Sequence, residues 1–440
     1  MKLPTRGLLL IRLSRGSFIR ESINQRFLRE AVKGENRMRA GFGIIEITPP
    51  LGVELAGYGY YLERRCDSVR DPLFLRAVLL EQEDVRQLIV SCDLLGLSQS
   101  LADQIMQEAA AFSVPRERVM IVSVHTHTGP AIQYHHGCGN PDPTYLASLS
   151  AKIRPLLEAA SEDLREVTSL TFTRVSLPGD DLYNRAIPDG PVDRDARGFF
   201  LDRAGAPPVW LLSAACHGVF LRCVSCVSAD FSGELHRLCA RAGVRSLYLN
   251  GLCGDIDPSH RTPEHMREFA ALLFEALGRE HRSLPLSLSG GRLPFTLRLC
   301  PFTREDILSA AEAGIARAGG PSQPAARAVL AWREDMLSQG DSLSFEEPGE
   351  AAFCLLGGIP ILALPFEGYT GIGMDFRRLT GCPDALVLGC AEQLRGYLPT
   401  REDAVTYAAV DSPFLYRRLP PVPGEAERLA LQLAEAFRKR

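Results

Sequence analysis

The chain has 440 residues, of which 46% are hydrophobic and 23% charged, and its formal net charge is −4 at pH 7. These values are typical of a globular protein with one large or two ordinary domains. The slightly acidic balance, without a basic stripe interleaved with aromatic residues, argues against a nucleic-acid partner. No apolar run approaches the ~20 residues that a membrane-spanning helix needs.

Residues 1–37 differ in composition from the rest of the chain. They are rich in arginine, and their apolar stretch at residues 8–11 is too short for the core of a signal peptide. We expect a disordered leader or an extension of the gene model ahead of a true start at Met38, followed by one catalytic domain over residues 38–440. The cysteines are scattered singly apart from Cys223 and Cys226, a pattern that favours reduced thiols and a cytoplasmic location.

The hydrophobic pattern predicts short strands that alternate with helices. A strand over 40–47 ends at a Pro-Pro turn, and apolar runs over 73–80 and 85–92 predict a hairpin. A helix over 98–112, capped by Ser98 or Ser100, leads into a buried strand over 119–124, which indicates a crossover unit. Further strands are predicted at 167–175, 209–216, 246–252, 351–364 (a pair turning at Gly357 and Gly358) and 385–390. Further helices are predicted at 144–164, 234–242, 262–277, 303–317, 323–338, 370–379 and 425–438.

This order predicts an α/β fold with a mixed β-sheet core flanked by helices, in a single domain. Polar residues follow the predicted strands, and they are Asp93, His125 with His127, His217, Asp255, Glu367 and Tyr397. His125 and His127 lie at i and i+2, so both leave their strand on the same face. Two histidines and a carboxylate from different strands are typical of a catalytic zinc site with an open position for water. The alternative is that each polar residue is separately satisfied at its own strand end.

Several longer motifs occur in a fixed order after residue 38. They are AGFGIIEITPPLG at 40–52, DPL at 71–73, HTHTGP at 125–130, Asn184-Arg185 with DGP at 189–191, His217, SADFSG at 228–233, Gly254-Asp255 with Pro258, PFE at 365–367 and Gly396-Tyr397 with Thr400. This order resembles the catalytic domain of the neutral/alkaline non-lysosomal ceramidase family. The combination of HTHTGP with SADFSG is the most specific part of the resemblance.

The resemblance implies a zinc-dependent hydrolase that cleaves an amide (N-acyl) bond with a metal-activated water. It implies one Zn²⁺ per chain, held by His125, His217, Glu367 and Tyr397. His127 and Arg185 match residues that face the substrate or the developing oxyanion. Tyr407 matches a tyrosine that contacts the substrate, although its spacing from the zinc tyrosine is shorter here. The implied partner is a small-molecule or lipid-like acyl amide, with no nucleic acid and no integral membrane segment.

Three features depart from the family pattern. Asp257 stands where the ceramidases carry a serine proposed to act in catalysis, and a carboxylate there suits a general base or a hydrogen-bond acceptor for a polar substrate. The sequence has no room for the immunoglobulin-like C-terminal domain of true ceramidases, and it shows no signal peptide. Two alternatives therefore stay open, a hydrolase of a small polar or sugar-linked substrate on the same scaffold and a non-catalytic metal-binding protein.

Overall fold

The computed structural model describes residues 37–279 and 281–439. The predicted leader lies outside the described residues except for Arg37. Within the described residues, no helix combines the length and the apolar character needed to cross a membrane.

Most strands are short, and they are numbered here in chain order. They are β1 (Met38–Glu46), β2 (Ser68–Val69), β3 (Phe74–Gln82), β4 (Val85–Cys92), β5 (Val119–Ser123), β6 (Arg165–Ser176), β7 (Leu182–Asn184), β8 (Asp195–Arg203), β9 (Ala206–Ser213), β10 (Cys226–Val227), β11 (Arg245–Tyr248), β12 (Ile256–Pro258), β13 (Arg282–Ser283), β14 (Leu288–Arg298), β15 (Glu346–Leu356), β16 (Ile359–Ala363), β17 (Glu367–Gly368), β18 (Leu386–Leu388) and β19 (Tyr397–Leu398). The α-helices of the described chain are α1 (Gln99–Ala110), α2 (Pro143–Ser150), α3 (Ile153–Glu162), α4 (Phe231–Arg241), α5 (Pro263–Leu277), α6 (Arg304–Arg317), α7 (Pro324–Gln339), α8 (Thr370–Thr380), α9 (Tyr407–Val410), α10 (Ser412–Tyr416) and α11 (Glu425–Arg438).

Two mixed sheets form the core. Over the described residues, the larger sheet has nine strands in the order β11-β9-β8-β6-β1-β3-β4-β5, with β13 paired to β6. The smaller sheet has four strands in the order β14-β15-β16-β18. Most pairs are antiparallel, whereas β4–β5, β9–β11 and β16–β18 are parallel. The predicted mixed-sheet core is therefore confirmed, as is the crossover from β4 through α1 to β5.

Alternation along the strands explains how the sheets pack. Val78 and Leu80 of β3 point into a core shared with Cys354 and Ile361 of the smaller sheet. Leu79, between them in sequence, points to the other face, where α1 and α3 pack. Successive side chains of a strand leave opposite faces, so each sheet buries both of its faces. Helices α8 and α11 cover the smaller sheet in the same way. The result is a helix–sheet–sheet–helix arrangement.

Several predicted elements differ from the observed ones. The helix predicted over 144–164 is two helices, because Pro155 has no N–H to donate and fits only the first turn of a new helix, α3. Strands β8 and β14 are absent from the predicted set, because Gly198, Gly291 and Pro294 lie inside them and these residue types are rare in strands. The strand predicted over 209–216 is β9, which ends at Ser213, so His217 lies in the loop beyond it.

Candidate metal centre

Three side chains from distant parts of the chain meet at one buried point. His125 follows β5, His217 follows β9 and Glu367 begins β17. Nε2 of His125 lies 3.2 Å from Nε2 of His217, and each of these nitrogens lies 3.2 Å from Oε2 of Glu367. None of the three residues is more than 2% exposed. We refer to His125, His217 and Glu367 as the candidate metal cluster.

Backbone carbonyls orient both imidazoles of the cluster. Nδ1 of His125 lies 2.7 Å from the carbonyl oxygen of Leu95, and Nδ1 of His217 lies 2.6 Å from that of Cys253. A carbonyl oxygen only accepts hydrogen bonds, so each Nδ1 carries the proton and each Nε2 presents a lone pair to the cluster. His125 has a φ of 64°, a strained backbone for a residue other than glycine, and such strain concentrates at functional sites.

The electrostatics of the cluster favour the binding of a positive charge. Burial alone would raise the pKa of Glu367, but its contacts with His125 and His217 hold that pKa well below its ordinary value. Burial and Arg185 lower the pKa of His217, whereas its contacts with Cys253 and Glu367 raise it, and the pKa reaches about 10. A buried carboxylate facing two imidazole lone pairs thus draws in a proton when the protein is alone. A metal cation would supply the same charge.

The spacing of the cluster fits zinc. Zinc binds histidine nitrogen and carboxylate oxygen at about 2.0–2.1 Å in a tetrahedral arrangement, which separates neighbouring ligand atoms by about 3.3–3.4 Å. The three separations in the cluster are 3.2 Å. Two imidazoles and one carboxylate also form the ligand set of several catalytic zinc sites. The residues present therefore fit the predicted ion, and the same donors suit other first-row divalent metals.

His127 lies at the same cluster. Its Nε2 is 3.3 Å from Nε2 of His125, and the ligand nitrogens of His125, His127 and His217 all lie within 4.8 Å of one another. Burial and the two neighbouring histidines hold the pKa of His127 well below its ordinary value, so its ring is neutral. Its Nδ1 has no hydrogen-bond partner among the described residues. Arg64 fixes the loop by donating to the carbonyl oxygen of His127 at 2.7 Å.

The pairing of β17 with β19 brings Tyr397 to the cluster. The two strands run parallel with Glu367 opposite Tyr397, and paired residues project on the same face of a sheet. Nη2 of Arg185 donates to the hydroxyl of Tyr397 at 2.7 Å and to the carbonyl oxygen of Gly254 at 2.9 Å. Burial raises the pKa of Tyr397 well above its ordinary value, and Arg185 opposes that effect. Arg185 therefore ties the tyrosine to the loop that follows β11.

Asp257 lies beside Arg185, behind His217. Its Oδ1 is 3.5 Å from Nη1 of Arg185 and 3.8 Å from Nδ1 of His217, the ring nitrogen that points away from the cluster. Its Oδ2 forms an ion pair with Arg261. Both carboxylate oxygens are thus engaged by guanidinium groups. Through Arg185, Asp257 is linked to the hydroxyl of Tyr397.

Tyr407 lies beside Tyr397 and is half-exposed. Its ring centroid is 6.1 Å from that of Tyr397, and the residue is 49% exposed. Two other residues predicted at strand ends, Asp93 and Asp255, form contacts outside the cluster. Asp93 forms an ion pair with Arg76 at 2.7 Å, and Asp255 accepts hydrogen bonds from the backbone N and the hydroxyl of Thr370.

Sequence reasoning missed three residues of the site. Tyr416 donates its hydroxyl to Oε1 of Glu367, Arg261 pairs with Asp257, and Arg64 holds the His127 loop. Arg261 had a local signal, since it follows Asp257 at i+4 with the opposite charge. Tyr416 had none, because it lies 49 residues from Glu367 and meets it only through tertiary folding.

No protein-family model and no curated protein matches the sequence. Solved structures do match the fold. A neutral ceramidase from Pseudomonas aeruginosa has a TM-score of 0.69 and 17% identity, with 92% of this chain and 75% of that chain covered. A structure described as ceramidase complexed with C2 has a TM-score of 0.70 and 16% identity, with 92% and 76% covered. The predicted resemblance is thus confirmed at the level of architecture, and the chain has the fold of the neutral ceramidases.

Proposed function

We propose that this protein is a zinc-dependent hydrolase that cleaves an amide (N-acyl) bond in a lipid-like or smaller acyl amide. The observation that carries the proposal is the buried cluster of His125, His217 and Glu367, with both imidazole lone pairs turned inward. The fold shared with ceramidases supports the choice of an amide bond. The cytoplasmic location predicted from the sequence stays a prediction.

In this proposal the zinc ligands are His125, His217, Glu367 and Tyr397. A bound zinc ion would polarise the acyl oxygen and lower the pKa of a water molecule to roughly 7. The protein holds these ligands in place with backbone carbonyls on the two histidines and the Tyr416 hydroxyl on Glu367.

The remaining polar groups would act on the substrate. Neutral His127 has one N–H to donate to the acyl oxygen as negative charge develops there, the role of an oxyanion-hole donor. Arg185, whose side chain is 26% exposed, places a positive charge beside Tyr397 and the same oxygen. Tyr407, half-exposed beside Tyr397, would contact the part of the substrate that extends toward solvent.

Asp257 has two proposed roles. The sequence prediction makes it the general base, and its pairing with Arg185 and Arg261 supports a positioning role for Arg185 instead. The same pairing supports a second candidate substrate. A carboxylate and two guanidinium groups where the ceramidases have a serine favour a small polar or sugar-linked substrate over an apolar one.

Metal analysis of protein purified without added metal tests the ligand set. We expect about one zinc per chain, and loss of zinc when His125→Ala is combined with His217→Ala. The matched control combines His260→Ala with His265→Ala, a pair of histidines in ring contact outside the site, and it should keep its zinc. Absence of zinc from the wild-type protein, or its retention in the first double variant, would remove the metal from the proposal.

A hydrolysis panel tests the reaction. Ceramides, short N-acyl amines and N-acylated sugars are incubated with the zinc-loaded protein, and release of the free amine is measured. Turnover of the first two supports an acyl-amide substrate without a sugar. Turnover confined to the third also shows amide cleavage, and it supports the polar-substrate candidate. Zinc binding without turnover of any amide would leave a non-catalytic metal-binding protein.

A further inference from the structure

A cavity of about 660 Å³ lies apart from the candidate metal cluster, and none of the residues of that cluster lines it. It is bounded by β1, the start of β3, helices α4 and α5, and the segment that leads into β11. Its volume falls in the range of small-molecule sites. The roles proposed for the metal centre make no use of it.

The cavity has a strong excess of positive charge. Its lining contains six arginines, which are Arg70, Arg76, Arg237, Arg241, Arg245 and Arg267. It contains two carboxylates, and both are engaged. Asp71 accepts from Oγ of Ser228 at 2.5 Å and from the backbone N of Ala229 at 2.8 Å, and Glu234 accepts from Nε of Arg237 at 2.7 Å.

Three of the six arginines form no ion pair with a described residue. Arg76 pairs with Asp93 and Arg267 with Glu264. By contrast, Arg70, Arg241 and Arg245 form no ion pair with any residue that the structure describes, and all three are exposed. Three unpaired guanidinium groups around one cavity call for a ligand with more than one negative charge, since a single carboxylate would neutralise only one of them.

A buried histidine with an unpartnered ring nitrogen is independent evidence for a ligand in the cavity. His236 lines the cavity and is only 6% exposed. Its Nδ1 lies 2.8 Å from Oγ of Ser246, whereas its Nε2 has no hydrogen-bond partner in the described part of the chain. Burial and Arg76 hold its pKa well below the ordinary value, so the ring is neutral. Buried polar atoms without a hydrogen-bond partner are rare, and a ligand in the cavity would supply a partner for Nε2 of His236.

Apolar residues also line the cavity. Phe42, Pro72, Phe74 and Met266 line it, and Arg245 and Arg76 lie over the rings of Phe42 and Phe74 at 5.8 and 5.0 Å. Such a surface accepts a flat or apolar group by stacking. From this combination of groups we propose that the cavity binds a nucleotide-like organic phosphate, with its phosphates on Arg70, Arg241 and Arg245 and its planar body against Phe42 and Phe74.

Calorimetric titration of the full chain with ADP tests this inference, which does not rest on the proposed hydrolase. ADP should bind more tightly than pyrophosphate, which lacks the planar body, and than adenosine, which lacks the charge. Arg241→Glu combined with Arg245→Glu should weaken ADP binding at least about tenfold, because it removes two charge-assisted contacts. An unchanged far-UV circular dichroism spectrum and urea midpoint show that this variant still folds.

The matched control is Arg304→Glu combined with Arg401→Glu, since these arginines are also exposed and unpaired among the described residues but lie outside the cavity. It should bind ADP as the wild-type protein does. No measurable ADP binding, equal weakening in the control, or pyrophosphate binding as tightly as ADP would overturn the proposal.

Discussion

The hydroxyl of Tyr416 donates a hydrogen bond to Oε1 of Glu367, so only Oε2 of that carboxylate faces His125 and His217. The bond joins the short helix α10 to the start of β17. It fixes both the rotation of the carboxylate and its charge distribution. Partners of this kind, one step removed from a metal, typically account for 10–100-fold in metal affinity or activity.

Removing that hydroxyl should therefore weaken metal binding. We expect Tyr416→Phe to lower zinc affinity by roughly 10–100-fold while the fold persists, because the ring still packs against His135 and Tyr397. Competition with a chromophoric chelator measures the affinity. Tyr134→Phe is the control, since Tyr134 is exposed and lies outside the cluster. Wild-type affinity in Tyr416→Phe would show that the hydroxyl does not orient the ligand.

The contrast between Tyr416 and His125 shows what a sequence reveals about such a site. His125 and Glu367 follow apolar runs that end in polar residues, and the periodicity of those runs is enough to locate them. Tyr416 lies in a five-residue helix, and Arg64 in a loop with no periodic pattern. Their roles depend on long-range packing, which no local pattern encodes. The fold follows the same division, since regular alternating strands are predictable and β8 and β14, interrupted by glycine or proline, are not.

Two roles are open to His127, a metal ligand in addition to the proposed four or a donor that faces the substrate. Its Nε2 lies 3.3 Å from that of His125, close enough for either role. We expect His127→Ala to keep zinc and to lower kcat by roughly 10²–10³-fold with little change in KM, because loss of an oxyanion donor acts on the transition state. Metal analysis and steady-state kinetics measure the two effects. His125→Ala is the reference for lost metal, and zinc loss in His127→Ala would make His127 a ligand.

Substitutions at Asp257 and Arg261 separate the two roles proposed for Asp257, general base and positioning of Arg185. Asp257→Asn should keep zinc and lower turnover by at least roughly tenfold, whether the carboxylate is the base or holds Arg185. Loss of the base removes the acidic limb of the kcat profile against pH, whereas loss of positioning leaves that limb in place. Arg261→Ala should reproduce the second pattern only, because Arg261 contacts the carboxylate and not the cluster. Unchanged turnover in Asp257→Asn would exclude both roles.

Acid stability should depend on His135, which is 3% exposed and packs edge-on against Tyr416 with 4.6 Å between ring centroids. Burial lowers the pKa of His135 from 6.5 to about 4. The unfolded chain therefore binds a proton at higher pH than the folded chain does. Stability from the neutral ring is present above about pH 6.5 and is lost as the pH falls from there to about 4.

The size of the effect follows from the two pKa values. Between pH 7 and pH 4, this one group should remove on the order of 3 kcal/mol from the free energy of unfolding. Urea denaturation of metal-free protein at several pH values measures it, since metal release in acid would otherwise add to the change. His135→Gln should flatten the acid dependence by that amount, whatever its stability at pH 7. His260→Gln, which replaces an exposed histidine, should keep the wild-type slope, and an equally steep slope in His135→Gln would contradict the assignment.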